Sequence, residues 1–101
     1  MNRVTLIGYL GSDAEIKDYN DGSYVRLNFA TSEKILDEKV TNWHSVILFG
    51  KIIEWSMPLH KGQKLMIEGQ IKYKEIEGKV LTSIIARSLH KMERNDNNDS
   101  R

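Results

Sequence analysis

Trp43 and Phe49 stand six residues apart in the run Thr41-Asn42-Trp43-His44-Ser45-Val46-Ile47-Leu48-Phe49-Gly50-Lys51. Side chains of an extended strand alternate between two faces, so Trp43, Ser45, Ile47 and Phe49 share one side and His44, Val46 and Leu48 the other. A sheet needs one apolar face to make a core, yet this segment has two, and one of them carries two large aromatic rings. Two chemistries fit the second face. It is either buried, as a packed layer or a subunit contact, or it is a platform for nucleic-acid bases, each of which offers a π-face. Further along, Lys72, Tyr73, Lys74 and Lys79 interleave basic side chains with an aromatic, the composition of a nucleic-acid groove. Glu75 and Glu77 weaken the positive field there. Tyr73 also has the parity of Leu65, Ile67 and Ile71, so a place in the core is its alternative reading.

Other chemistries find no residues to carry them. The chain has no cysteine, which excludes disulfides, a thiol nucleophile and cysteine-ligated metal. Its three histidines show no His-x-x-x-His spacing, and no carboxylate pair lies near a nucleophile, so neither catalysis, a metal nor a cofactor is expected. His60 and His90 read as surface or element-end residues. With 15 Lys plus Arg against 14 Asp plus Glu and a pI near 8.0, any basic surface must come from local clustering. At 101 residues one small domain is expected, with no leader pattern and no apolar run of membrane-spanning length. The expected location is cytoplasmic, associated with the nucleoid.

The elements that must position these residues follow from the same periodicities. A first strand runs over 2–10, with 14–19 extending it up to Asn20-Asp21-Gly22, whose Asp-Gly pair suits a hairpin turn. A second strand over 23–31 divides Val25, Leu27 and Phe29 from Tyr24, Arg26, Asn28 and Ala30, which makes Phe29 core. The charged stretch 32–40 has little periodicity and reads as an exposed loop. The third strand is the Trp43–Phe49 segment. Ile52, Trp55 and Leu59 then recur at helical spacing, predicting one short helix over 51–57, ended by Pro58, with Trp55 packed against the sheet. Leu65, Ile67, Gly69, Ile71 and Tyr73 alternate with polar residues in a long fourth strand. Ile76-Glu77-Gly78-Lys79 is a compact turn into a fifth strand over 79–89. Residues 1–91 form the domain and 92–101 a short, polar, flexible tail.

Five strands with one helix between the third and fourth is the element order of the OB-fold, an all-β, partly open Greek-key barrel. The chain also resembles the bacterial single-stranded DNA-binding proteins. The resemblance rests on Asn2-Arg3-Val4-Thr5-Leu6-Ile7-Gly8-Tyr9-Leu10-Gly11, Phe29-Ala30-Thr31-Ser32, Asn42 through Lys51, Lys61-Gly62 and Ile67-Glu68-Gly69-Gln70-Ile71, in that order. It implies sequence-independent binding of single-stranded DNA in replication, recombination or repair, with no catalysis. It further implies that Trp43 and Phe49 stack on bases, with Ser45 and Ile47 as the floor between them. Phosphate contacts are expected from Lys34, Lys51, Lys72, Lys74 and Lys79, with Tyr73 as a substitute platform. His44, near a subunit contact in the family, is expected with Val4 and Leu6 at the interface of a homotetramer, or alternatively a homodimer.

The departures from the family pattern carry expectations too. Ile35 and Ile76 stand where relatives often have further aromatics. The usual Gly/Pro/Gln-rich linker and acidic, apolar-tipped end do not appear before Arg101, so the resemblance implies strand coating without recruitment of replication proteins. An accessory factor like the primosomal replication protein N, or an OB-fold module binding RNA or protein, is the alternative.

Overall fold

The structure, a computed structural model, describes residues 1–19 and 22–93. Its strands are β1 (Val4–Leu10), β2 (Glu15–Tyr19), β3 (Gly22–Ile35), β4 (Glu38–Phe49), β5 (Lys64–Ile76) and β6 (Lys79–Met92), with a helix α1 (Lys51–Ser56) between β4 and β5. They make one sheet in the order β1-β5-β6-β4-β3-β2, and pairing of β1 with β3 closes it into a barrel. β1 and β2 are the two halves of the expected first strand. Along β3, Leu10 faces Phe29 and Glu15 faces Arg26, so five steps of one strand match three of the other. Residues 11–14, two more than the pair opposite them, form a corner between the halves, as an insertion in a ladder does. Counted as one bent strand, they leave the five-stranded OB-like barrel with one helix that the element order predicts.

Closure needs β1 and β3 close together, and Gly8 permits it: a Cβ there would overlap the carbonyl of Ala30. Inside, alternate residues of every wall strand meet. Leu10, Val25, Leu27, Phe29, Val46, Leu48, Leu65, Ile67, Ile84 and Ala86 are buried, and Ile52 and Leu59 cover one end. Phe29 is the largest fully buried side chain, and truncating such a ring typically costs about 3–5 kcal/mol.

Two expectations fail, each for a physical reason. The stretch 32–40 is not a loop: β3 and β4 continue as a hairpin to Ile35 and Glu38, closed by Leu36 and Asp37 at φ 49° and 67°. The arm projects beyond the barrel with solvent on both faces, so its sequence needs no apolar alternation, while the backbone ladder still supplies its hydrogen bonds. Two positive φ angles in a two-residue loop match the right-handed twist of the flanking strands. Glu77 and Gly78, at φ 50° and 80°, close the β5–β6 arm in the same way, as the sequence predicts.

The second failure is Trp55, which is 76% exposed rather than packed on the sheet. The helix spans only six residues and turns roughly 100° per residue. Ile52, Ser56 and the partly buried Ile53 define its inward arc, and Trp55 lies on the flank of that arc. Helical spacing between 52, 55 and 59 held no information about Leu59, which lies beyond the helix end. At the C terminus β6 continues to Met92, paired with Lys64, past the expected end at Leu89. The rest of the polar tail, from residue 94, and Asn20-Asp21 lie outside the described residues. Among the described residues no helix is long and apolar enough to cross a membrane.

Candidate nucleic-acid interface

Alternation in β4 turns Val46 and Leu48 into the barrel and Trp43, Ser45, Ile47 and Phe49 outward. Trp43 is 64% exposed and Phe49 50%, so burial within this chain is not what their face is for. Six residues of strand separate the rings by roughly 20 Å, too far to hold one base between them. Each ring has its own neighbours. The ladder with β3 sets Trp43 beside Ala30, Ser45 beside Asn28, Ile47 beside Arg26 and Phe49 beside Tyr24. The Tyr24 and Phe49 ring centroids are 5.8 Å apart with planes at 43°. Trp43 rests instead on backbone: a Cβ at Gly11 would collide with the six-membered part of its indole. The corner between β1 and β2 is therefore also the seat of the tryptophan.

Between the rings the floor is polar as well as apolar. Arg26 donates from Nε to Ser45 Oγ at 3.2 Å and from Nη1 to Glu15 Oε1 at 3.0 Å, which anchors a guanidinium beside Ile47. Asn28 donates to Ser12 Oγ at 3.2 Å. Arg26 and Tyr24 belong to the candidate surface, although sequence reasoning nominated neither. Their signal was present in the second strand's polar side, which lines up with the Trp43 face only once the β3–β4 register is known.

The lysines of the β5–β6 arm lie on the same side of the sheet. Ile47 neighbours Ile85 in the parallel β4–β6 pair, Ile85 pairs with Gln70, and Lys72 with Ser83 one step further out. By strand alternation Lys72 and Lys74 share that outward face, as do Ile76 and Lys79, which pair with each other at the tip. Tyr73 points to the opposite face of the arm. It is 67% exposed, which overturns its core reading without bringing it to the lysines or to Trp43. Lys51 opens α1 two residues after Phe49, and Lys34 faces Lys39 across the β3–β4 arm. Ile35 and Ile76 are both exposed near the two arm tips.

On the inward side, His44 is half-buried, with Nε2 2.8 Å from Thr31 Oγ1. Burial lowers its pKa below the ordinary histidine value, which keeps the ring neutral near pH 7. Val4 and Leu6 are partly buried against the core. His60 and His90 are exposed. Among the described residues no three His, Asp or Glu side chains gather as a metal site.

The barrel that carries this wall and its two arms has counterparts among known proteins. A family described as the single-strand binding protein family matches residues 1–92. The wild-type single-stranded DNA-binding protein from Thermus aquaticus superposes with a TM-score of 0.78 at 30% identity, over 92% of this chain and 50% of that one. A deletion mutant of the Thermus aquaticus protein gives 0.80 at 29% identity, over 92% and 51%. The chain thus spans about half the length of the Thermus proteins it matches. A Plasmodium falciparum SSB in complex with single-stranded DNA shares the fold, with a TM-score of 0.76 at 23% identity over 92% of this chain and 96% of that one. With the family's match running from Met1 to the last residue of β6, the chain belongs to the single-strand binding protein family.

Proposed function

We propose that this protein binds single-stranded DNA without regard to sequence, in replication, recombination or repair, by stacking bases on the outward wall of the barrel and pairing phosphates with lysines on its arms. One observation carries the reading: Trp43 and Phe49 are exposed on the same side of the sheet as Lys72, Lys74 and Lys79. An exposed aromatic ring contributes about 1–3 kcal/mol per stacked base and tolerates any base, which suits a protein that must accept any sequence. Lys34 and Lys51 extend the basic border at the two ends of β4. Tyr24 and Arg26 join Trp43 and Phe49 on the wall. The single-strand binding family is one of binding proteins rather than enzymes, and the role proposed here is likewise binding alone.

Self-association belongs to the same proposal. β1 uses one edge for β5 over its whole length, whereas β3 takes only Tyr9 and Leu10 on the other. Among the described residues no strand pairs with this edge over residues 4–8, where Ile7 is half-exposed, and an open edge pairs readily with another chain. A second copy added there, with His44 near the contact, gives the homodimer from which a homotetramer is built. Val4 and Leu6 would contribute backbone to that edge, since their side chains turn toward the core.

The test is a titration of tryptophan fluorescence with matched single-stranded DNA, duplex DNA and RNA at several salt concentrations. Selective quenching by the single strand with a steep salt slope is expected. Equal response to all three, or none, rejects the reading. Light scattering that finds a monomer at micromolar concentration rejects the assembly.

A further inference from the structure

Across the barrel from Phe49, a second row of side chains leads away from Trp43. The ladders connect Trp43 to Ala30, Ala30 to Tyr9, Tyr9 to Lys64 and Lys64 to Met92, so one register line crosses β4, β3, β1, β5 and β6. Gly8 and Leu10 are buried, which turns Tyr9 outward like Trp43, and buried Leu65 does the same for Lys64. Neighbouring strands lie about 4.8 Å apart, so three spacings carry this line roughly 14 Å from Trp43 to Lys64. Ala30 is the small residue between the two aromatics, and Gly11 lies beneath the indole.

The line ends at an open cleft of about 320 Å³ lined by Lys61, Gly62, Gln63, Lys64, Lys91 and Met92. Three lysines and no carboxylate line it. None of the three is ion-paired with a described residue, and Lys91 directs Nζ to the Pro58 carbonyl at 3.0 Å, which uses one of its donors. Asp13 Oδ1 accepts the backbone N–H of Lys61 at 2.8 Å, and Glu93 follows Met92 as an exposed residue. The cleft is tied to the tryptophan seat: Gly62 N donates to Leu10 O at 2.8 Å and Leu10 N to Gln63 O at 3.0 Å, one residue from Gly11. Lys91 pairs with buried Leu65 and so lies on the opposite face of the sheet from Lys64, which leaves Lys61 and Lys64 as the cations beside the opening, where an anion relieves their mutual repulsion.

We propose that this cleft seats a backbone phosphate of the same strand whose base stacks on Trp43, with Tyr9 carrying a base between them. The inference rests on the single-strand reading above and extends it: the strand follows β4 from Phe49 to Trp43, then turns across β3 and β1 into the lysine cleft. Lys64 and Tyr9 become contact residues beyond the β4 wall, on β5 and β1.

Lys64→Gln keeps the backbone ladder and removes one charge, so binding of an oligothymidylate to the full chain, followed by Trp43 quenching over a salt series, tests it. The slope of log affinity against log salt should fall by about 0.7, so that a fourfold rise in salt weakens the wild type roughly 2.6-fold more than the variant. Tyr9→Leu should lose about 5- to 150-fold in affinity, the range of one stacked base. Wild-type slope in Lys64→Gln, or wild-type affinity in Tyr9→Leu, with Trp43 still quenched, overturns the path while leaving strand binding intact. Absence of quenching in the wild type overturns strand binding itself. Inorganic phosphate that shifts the Gly62 and Lys64 amide resonances while Lys64→Gln leaves the slope unchanged marks a free-anion site and also overturns the proposal.

Discussion

The chain exposes two tryptophans, Trp43 at 64% and Trp55 at 76%, and only their surroundings tell them apart. Trp43 stands on a strand in the middle of a sheet, with its ring against the Gly11 backbone and with Ala30 and Tyr9 in line beside it. Trp55 stands on the flank of a six-residue helix whose inward arc is filled by Ile52 and Ser56. A flat partner can lie across the first, because a sheet presents neighbouring side chains at fixed spacing; a one-and-a-half-turn helix offers a single projecting ring. Exposure identifies a surface aromatic, and the register around it decides whether that aromatic is part of a platform.

The comparison breaks most directly on the tryptophans themselves. Trp43→Ala should cost about 1–3 kcal/mol of single-strand affinity, while Trp55→Ala should bind as the wild type does, both read by anisotropy of a labelled oligonucleotide. In fluorescence, Trp43→Phe should lose most of the DNA-induced quenching and Trp55→Phe should keep it; the reverse pattern would exchange the roles assigned to the two residues. A smaller effect tests the seat rather than the ring. Gly11→Val introduces a side chain where the indole now lies, and affinity should fall roughly tenfold with Trp43 still present, within the range of one stacked base. Wild-type affinity in that variant would show that the ring binds equally well off its seat.

Next in size come the arm lysines. Each of Lys72→Gln and Lys74→Gln should flatten the salt slope by about 0.7, measured on the same oligonucleotide, if their face of β5 continues the Trp43 wall. The smallest effect concerns the inward side of β4. Burial lowers the His44 pKa, so the unfolded chain takes up the proton first as acid is added. Stability should be full above about pH 6.5 and decline as pH falls through that value toward the lower folded-state pKa. Thermal melts from pH 8 to 5 check this, and His44→Gln should flatten the decline.

Much of this arrangement was legible in the chain. The two faces of β4 followed from alternation, since a strand has a period of two whatever it packs against. The barrel followed from element order, and the β5–β6 turn from Glu77-Gly78, because positive φ is a local requirement. Ser32 to Val40 was not legible as strand, because a hairpin arm solvated on both faces leaves no hydrophobic trace. Trp55 misled because its spacing from Leu59 counted a residue outside the helix. Tyr73 was grouped with Lys72 and Lys74 by sequence proximity, although neighbours in a strand point to opposite faces.

What the sequence determined by itself is each residue's side of its own element: Trp43 with Phe49, Tyr24 with Arg26, Lys72 with Lys74. Side-chain parity and turn geometry are local, and a few residues suffice to specify them. Only the tertiary structure decided which of those sides meet. The β3–β4 and β4–β6 registers join Tyr24, Arg26 and the arm lysines to the Trp43 wall, and the β1 ladders add Tyr9 and Lys64. Those pairings depend on how the barrel closes, with a corner after Leu10 and Gly8 passing against Ala30, and closure is a property of all the strands together.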